Sequence, residues 1–128
     1  MATYSALIAD DDELIRTILE RVCEELGWSV DQACNGQEAL EWLQKEKFDI
    51  ALLDILMVPM SGFEVLDKLR TFSQVPVIVF TGRSFIADKA LEFGANDYIA
   101  KPFDPEELVK KIRNVLDHRE AGHPTSGF

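Results

Sequence analysis

Short apolar runs alternate along the chain with longer segments in which apolar residues recur at helical spacing. Short apolar runs bounded by turn residues are typical of buried strands. We therefore predict strands at residues 4–9, 28–33, 50–53, 75–80 and 97–100, each followed by a helix. This alternation predicts an α/β fold, in which right-handed crossovers join parallel strands and helices cover both faces of the sheet.

Capping signals place the starts of several helices. Ser61 and Asn35 are each followed three residues later by Glu, a pattern typical of helix N-termini. Asp12 also precedes a helical segment and is better explained as a cap than as a metal ligand. Periodicity is lost from about residue 119, so we predict one domain over residues 1–118 and a flexible tail or truncated linker over 119–128.

Polar side chains gather where the predicted strands end. Asp10 and Asp11 follow the first strand, Asp54 the third, Thr81 the fourth and Lys101 the fifth. In an open parallel sheet these ends meet at one edge, which is where ligands bind. An Asp after a strand can instead simply start a turn. Several carboxylates with a hydroxyl and an ammonium suit Mg²⁺ and a phosphoryl group, so the set predicts chemistry on an aspartyl phosphate.

Composition and charge narrow the possible partners. The 128 residues are 47% hydrophobic and 28% charged, as in a globular domain, and the net charge is −10. An acidic chain argues against direct binding to nucleic acid or to an anionic membrane surface. Cys23 and Cys34 lack the spacing of a zinc or redox site, and we expect a reducing, cytoplasmic setting.

The ordered set of motifs resembles the response-regulator receiver family. It consists of Asp10-Asp11, the Leu-Leu-Asp54 ending of the third strand, Thr81-Gly82 and Lys101-Pro102, and the resemblance spans about residues 4–118. It implies a flavodoxin-like doubly wound sheet of five strand–helix units, with the strands in the order 2-1-3-4-5.

The resemblance also implies a role for the acids. Asp54 would accept a phosphoryl group, and Asp10, Asp11 and Asp54 would bind Mg²⁺, with Mn²⁺ as an acceptable substitute. The backbone carbonyl of Leu56 would complete the protein ligands of the metal.

Three further residues acquire roles by the same resemblance. Thr81 and Lys101 would bind the phosphoryl oxygens, and Tyr98 would be the aromatic residue that switches conformation together with Thr81. Packing within a strand is the plain alternative for Tyr98. The bond between Lys101 and Pro102 would be cis.

The implied partners are proteins. A sensor histidine kinase or a histidine phosphotransfer protein would supply the phosphoryl group, and a downstream protein would read the switch. The chain would catalyse only its own phosphorylation and dephosphorylation, as a monomer or as a phosphorylation-dependent dimer through its fourth and fifth helices. Two alternatives stay open: an Asp-nucleophile hydrolase of small phosphoesters, and a receiver-like binding module that is never phosphorylated.

Some positions depart from the family pattern. The Pro that usually lies four residues after the acceptor is replaced by Val58, with Pro59 next, which predicts a slightly altered loop. Gly82 stands where Ala is common and leaves open space above the acceptor. Leu56 and Arg83 occupy positions that tune the lifetime of the phosphoryl group, and Leu56 could shield the acceptor from water.

Overall fold

A computed structural model describes residues 4–82 and 84–122, and in this part of the chain strands and helices alternate throughout. The strands are β1 (Ser5–Ala9), β2 (Ser29–Ala33), β3 (Ile50–Asp54), β4 (Val77–Thr81) and β5 (Asp97–Ala100). The helices are α1 (Glu13–Glu25), α2 (Gly36–Lys45), α3 (Gly62–Leu69), α4 (Ser84–Glu92) and α5 (Pro105–Gly122).

The five strands form one parallel sheet in the order β2-β1-β3-β4-β5. This order confirms the α/β, doubly wound fold predicted from the sequence. Parallel pairing places all the carboxyl ends of the strands at the same edge of the sheet. β2 lies on one side of β1, and β3 and the later strands lie on the other side. In open sheets, ligands bind at the point where the strand order changes direction in this way.

Each face of the sheet is covered by helices, because the strands are apolar on both sides. Leu7, Leu53 and Val79 face a core formed with α2, α3 and α4. Their alternate neighbours, such as Ile8 and Leu52, face a second core formed with α1 and α5. Burial on both faces explains why β3 and β4 are continuous apolar runs in the sequence.

Some element boundaries differ from the predicted ones. β4 begins at Val77 and not at residue 75, since Pro76 has no N–H to donate to the sheet, although its carbonyl still accepts from Ala51. α5 continues to Gly122, beyond the predicted end at residue 118, because Arg119, Glu120 and Ala121 favour helix even without apolar periodicity. Residues 123–128 of the predicted tail lie outside the described part.

The helix caps match the sequence signals, with one difference. Asp12 caps α1 by accepting the N–H of Leu14, and Ser61 and Glu64 form a complete capping box at α3. Asn35 caps α2, but the Glu38 carboxylate accepts the N–H of residue 34 and does not complete a capping box. The cap predictions are therefore confirmed in position and differ only in this partner.

Gly62 allows α3 to begin directly against the end of β3. A Cβ built at Gly62 would lie 2.5 Å from the carbonyl oxygen of Asp54 and 2.8 Å from the Cα of Ile55. The Gly62 N–H donates to the Ile55 carbonyl at 2.8 Å. Because the obstructing atoms are backbone, a side chain at this position would push the loop after Asp54 out of place.

Substituting Gly62 by Ala is expected to destabilise the chain by about 1–3 kcal/mol, the usual cost of forcing an extra carbon into a packed site. The measurement is urea unfolding followed by circular dichroism. Gly82→Ala is the matched control, because a Cβ at Gly82 meets nothing within 4 Å. Equal stability of the two variants would contradict the steric role of Gly62.

Candidate functional site

The register between β1 and β3 brings two acids together. Ala9 pairs with Leu53, so Asp10 and Asp54 occupy the next positions of neighbouring strands. Both carboxylates are buried, with relative exposures of 1% and 3%. Two acids that are far apart in the sequence therefore share the carboxyl edge of the sheet.

Asp11 completes an acidic cluster with these two residues. One carboxylate oxygen from each of Asp10, Asp11 and Asp54 lies within 4.8 Å of the others. Asp11 is exposed, so the cluster opens to solvent on its side. Three carboxylates this close repel one another unless a cation lies among them.

Lys101 lies between the two buried acids. Its Nζ is 3.2 Å from Asp10 Oδ2 and 3.4 Å from Asp54 Oδ1, and it also lies 5.2 Å from the centroid of the Phe80 ring. The Lys101 N–H donates to the Thr81 carbonyl at 2.9 Å, which ties the end of β5 to the end of β4. The ammonium thus offsets part of the negative charge.

The Lys101 ammonium does not fully offset the negative charge of the two buried carboxylates. Burial raises the pKa of the Asp10 carboxyl above its ordinary value of 3.8, and repulsion by Asp54 raises it further. The hydrogen bond from the Asp12 N–H and the attraction of Lys101 lower this pKa, but the net direction is upward. The ionised form of Asp10 is therefore less favourable in the folded chain than in water.

Leu56 lies just past Asp54, and its N–H donates to Asp54 Oδ1 at a long 3.4 Å. Its side chain is 52% exposed. The backbone of Leu56 is thus close to the acidic cluster, while its apolar side chain borders the solvent. The shielding role of Leu56 stays a prediction.

Thr81 and Tyr98 lie on the two neighbouring strands. Thr81 ends β4, is 1% exposed and pairs with Ala100, while Tyr98 pairs with Val79 in the middle of β5. The Tyr98 ring is half-buried against the core under α4, with Lys111 Nζ 5.4 Å from its centroid. Their roles in phosphoryl binding and switching stay predictions.

The departures from the family pattern leave the acidic cluster intact. The bond between Lys101 and Pro102 is cis, as expected, and the bond between Val58 and Pro59 is also cis, which the sequence did not predict. Space is open at Gly82, as expected. Arg83 lies outside the described residues.

The donor set fits a magnesium ion. Mg²⁺ prefers oxygen ligands, uses one or two carboxylates and keeps several waters, which suits two buried acids beside an exposed one. Among the described residues, this is the cluster of three or more His, Cys, Asp or Glu side chains that lie close enough together to hold an ion. Asp10, Asp11 and Asp54 are the residues that would hold it.

One residue that sequence reasoning did not connect with the site also contacts it. Arg16 donates to the Asp10 carbonyl at 2.7 Å. Helical spacing alone placed Arg16 on a helix and gave no signal for its contact. Its reach depends on how α1 packs on β1, which only the tertiary structure defines.

Comparison with known proteins agrees with this geometry. Residues 6–113 match the model of the response regulator receiver domain. The "Probable transcriptional regulator ycf27" of Cyanidium caldarium is 41% identical over 115 residues, which cover 88% of this chain and 46% of that protein. The uncharacterized transcriptional regulatory protein YkoG of Bacillus subtilis is 44% identical over 113 residues, covering 86% and 50% respectively.

Solved structures give the same result. A CheY-like response regulator receiver domain protein from Methanospirillum hungatei superposes with a TM-score of 0.87 and 32% identity, covering 94% of this chain and 98% of that one. The receiver domain of the sensor histidine kinase PA1611 from Pseudomonas aeruginosa has a TM-score of 0.83 and 26% identity, covering 90% and 98%. That structure contains a magnesium ion coordinated in its active-site cleft.

The fold, the acidic cluster and these matches define a phosphorylatable signalling domain. The chain belongs to the response regulator receiver domain family of two-component systems. Its acidic pocket of Asp10, Asp11 and Asp54 serves Mg²⁺-dependent phosphorylation. The chain spans about half the length of the curated relatives it matches.

In the two described ranges, none of the helices combines the length and the apolar character needed to cross a bilayer.

Replacing Asp10 by Asn is expected to stabilise the Mg²⁺-free chain, because it removes a buried charge and keeps an oxygen for the Asp12 N–H. We expect the melting temperature in EDTA to rise by about 4 °C, the shift that ~1 kcal/mol gives in a domain of this size. The gain should shrink as the pH falls through the pKa of Asp10, because the protonated wild-type side chain is also uncharged.

Thermal unfolding followed by circular dichroism measures this effect, and added Mg²⁺ should stabilise the wild type more than Asp10→Asn. Asp12→Asn is the matched control, since it removes the same charge from an exposed residue that caps a helix. A lower melting temperature of Asp10→Asn in EDTA would show that the salt bridge to Lys101 outweighs burial and repulsion.

Proposed function

We propose that Asp54 is the phosphoacceptor of this receiver and that phosphorylation switches its conformation. The observation that carries the proposal is the convergence of Asp10, Asp11 and Lys101 on Asp54 at one edge of the sheet. A carboxylate at the end of a central strand, with an acid pair on one side and an ammonium on the other, is positioned to receive a phosphoryl group.

In the proposed step an oxygen of Asp54 forms a bond to phosphorus while the bond from phosphorus to the donor breaks. The donor is a phosphohistidine, whose nitrogen leaves, or a small acyl phosphate, whose oxygen leaves. Mg²⁺, when bound, would neutralise charge on the phosphoryl oxygens. Lys101, now 3.4 Å from Asp54 Oδ1, would donate to one of those oxygens, and the Thr81 hydroxyl to another.

Asp10, Asp11 and Asp54 are the proposed metal ligands, together with the Leu56 carbonyl. Mn²⁺ also accepts carboxylate and carbonyl oxygens, so it should replace Mg²⁺. The N–H of Leu56 already contacts Asp54 Oδ1, which places the backbone of that residue beside the cluster. The loop after β3 would thus supply both a metal ligand and part of the solvent barrier.

The proposed switch couples Thr81 to Tyr98. Thr81 and Lys101 are joined through the backbone, and the strand that carries Tyr98 ends at the residue before Lys101. A displacement of Thr81 and Lys101 toward a bound phosphoryl group would therefore also displace β5, which carries Tyr98. A ligand shifts such an equilibrium only by the difference in its affinity for the two states.

The proposed partners are a sensor histidine kinase or a histidine phosphotransfer protein on the input side, and a protein target on the output side. A net charge of −10 argues that this domain does not itself bind nucleic acid. The related ycf27 and YkoG proteins carry names of transcriptional regulators and are about twice as long. DNA binding in a longer protein of this kind would belong to another domain.

The chemistry of the domain is limited to its own phosphorylation and dephosphorylation. The division into a receiver over residues 1–118 and a tail over 119–128, a cytoplasmic location, and dimerisation through α4 and α5 all remain proposals.

Replacing Asp54 by Asn is expected to abolish labelling by acetyl phosphate, because the amide cannot act as the nucleophile. Intact-mass spectrometry should detect a phosphorylated species of the wild type with Mg²⁺ and none with EDTA. Asp67→Asn, an exposed change on α3 with the same loss of charge, should label normally.

Unlabelled wild-type protein in the presence of Mg²⁺ would remove the proposal. Full labelling of Asp54→Asn would place the phosphoryl group on another residue. Multiple turnovers of p-nitrophenyl phosphate by the wild type would instead favour the hydrolase alternative, although Leu56 stands where such an enzyme would need a second acid.

Replacing Leu56 by Asn is expected to shorten the lifetime of the phosphorylated state about tenfold, equivalent to ~1.4 kcal/mol of barrier. The amide can hold a water near Asp54, whereas the apolar side chain cannot. The decay of the phosphorylated species after removal of acetyl phosphate gives the rate. Val58→Asn is the control, since Val58 is an exposed apolar residue of the same loop; an unchanged lifetime of Leu56→Asn would reject the shielding role.

A further inference from the structure

Arg16, on the second turn of α1, reaches back to the acidic site through a backbone contact. Its Nη1 donates to the carbonyl of Asp10 at 2.7 Å, and its Nε donates to Gln32 Oε1 at 2.9 Å. The guanidinium therefore joins the end of β1 to β2. Its planar fork is suited to holding two acceptors in a fixed relation.

The second acceptor, Gln32, is itself held on several sides. Its side-chain amide donates to Glu20 on α1 at 2.6 Å, and its backbone carbonyl accepts the indole N–H of Trp42 on α2 at 3.2 Å. Arg16 is thus anchored by elements on both faces of the sheet. A guanidinium with such an anchor can hold the Asp10 carbonyl in one orientation.

The orientation of that carbonyl matters for both neighbouring acids. The carbonyl belongs to the planar peptide unit that connects Asp10 to Asp11, so its direction fixes where the Cα of Asp11 lies relative to Asp10. The side chain of Asp10 is already fixed by the Asp12 N–H and by Lys101. Asp11 is exposed, so its position depends on the backbone.

We infer that Arg16 is a positioning residue for the magnesium site: it holds the peptide between Asp10 and Asp11 so that both carboxylates face one ion. This inference rests on the proposed magnesium ligands. Arg16 touches neither the ion nor the phosphoryl group. It acts through the backbone of two ligands, as the outer hydrogen-bond partners of metal ligands do elsewhere.

The charge of Arg16 by itself would have the opposite effect. A positive charge near a cation site repels the cation, so its removal should tighten binding if charge alone mattered. Arg16 is partly exposed, which weakens that repulsion. Positioning and charge therefore predict changes of opposite sign, and the sign of the measured change separates them.

The test compares Mg²⁺ binding by Arg16→Gln and wild type, using isothermal titration calorimetry on the full chain. We expect the dissociation constant to rise about tenfold in Arg16→Gln, within the range found when outer partners of metal ligands are removed. Arg21→Gln, an exposed change on the same helix with the same loss of charge, should bind Mg²⁺ as the wild type does. Arg16→Lys keeps the charge but has a single donor group, and it should recover only part of the affinity.

Thermal unfolding in EDTA, measured in parallel, separates loss of the site from loss of the fold. Unchanged or tighter Mg²⁺ binding by folded Arg16→Gln would overturn the inference. If Arg16→Gln does not fold, the same measurement is made on Gln32→Ala. This variant keeps the arginine itself but removes the side-chain oxygen that accepts from its Nε. We then expect weaker Mg²⁺ binding, with a smaller loss than the one expected for Arg16→Gln because the guanidinium is still present, and unchanged binding would overturn the inference.

A failure of the proposed magnesium site gives a different result from a failure of the role of Arg16. If wild type does not bind Mg²⁺, the proposed metal site is wrong and the inference falls with it. If wild type and Arg16→Gln bind Mg²⁺ equally, the metal site stands and only the role of Arg16 is rejected.

Discussion

Two carboxylates, those of Asp10 and Asp54, are buried side by side at the end of neighbouring parallel strands. Burial and the nearby charge of Asp54 make the ionised form of Asp10 unfavourable, and the pKa of Asp10 is raised accordingly. Lys101 offsets part of the cost from the end of β5. A magnesium ion, held with Asp11, would offset more, so the same repulsion that destabilises the empty pocket favours a cation in it.

The sheet makes this arrangement possible, because it supplies a rigid support that is independent of the site. Both faces of the strands are apolar and covered by helices, so folding is driven by burial along the strands and not by contacts at their ends. The polar residues at the carboxyl edge can then serve the chemistry of the site, because folding does not depend on them. Gly62 shows how tightly this edge is built, since no side chain fits between α3 and the end of β3.

The loops around the pocket divide its functions among different elements. The turn after β1 supplies two acids, β3 supplies Asp54, and the loop after β3 supplies the bordering Leu56. The ends of β4 and β5 supply Thr81 and Lys101, which are joined through the backbone. In the proposed switch, a change at Asp54 would reach Tyr98 along β4 and β5, without involving the helices on the other side of the site. Arg16 belongs to that other side, where α1 and β2 hold Asp10 in place.

The sequence by itself determined the kind of each element, the α/β class and the group of residues at the strand ends. Hydrophobic periodicity and capping signals are local, and parallel strands with crossovers leave one edge for the polar residues. The strand order came from the resemblance of motifs and is borne out by the pairing of the strands. The different partner of Glu38 and the continuation of α5 to Gly122 are local features that the capping and periodicity signals did not specify. Tertiary structure alone decided the reach of Arg16 to Asp10 and the close approach at Gly62. Residue patterns along the chain do not fix these two contacts, because the energies that decide them arise only when the elements pack against one another.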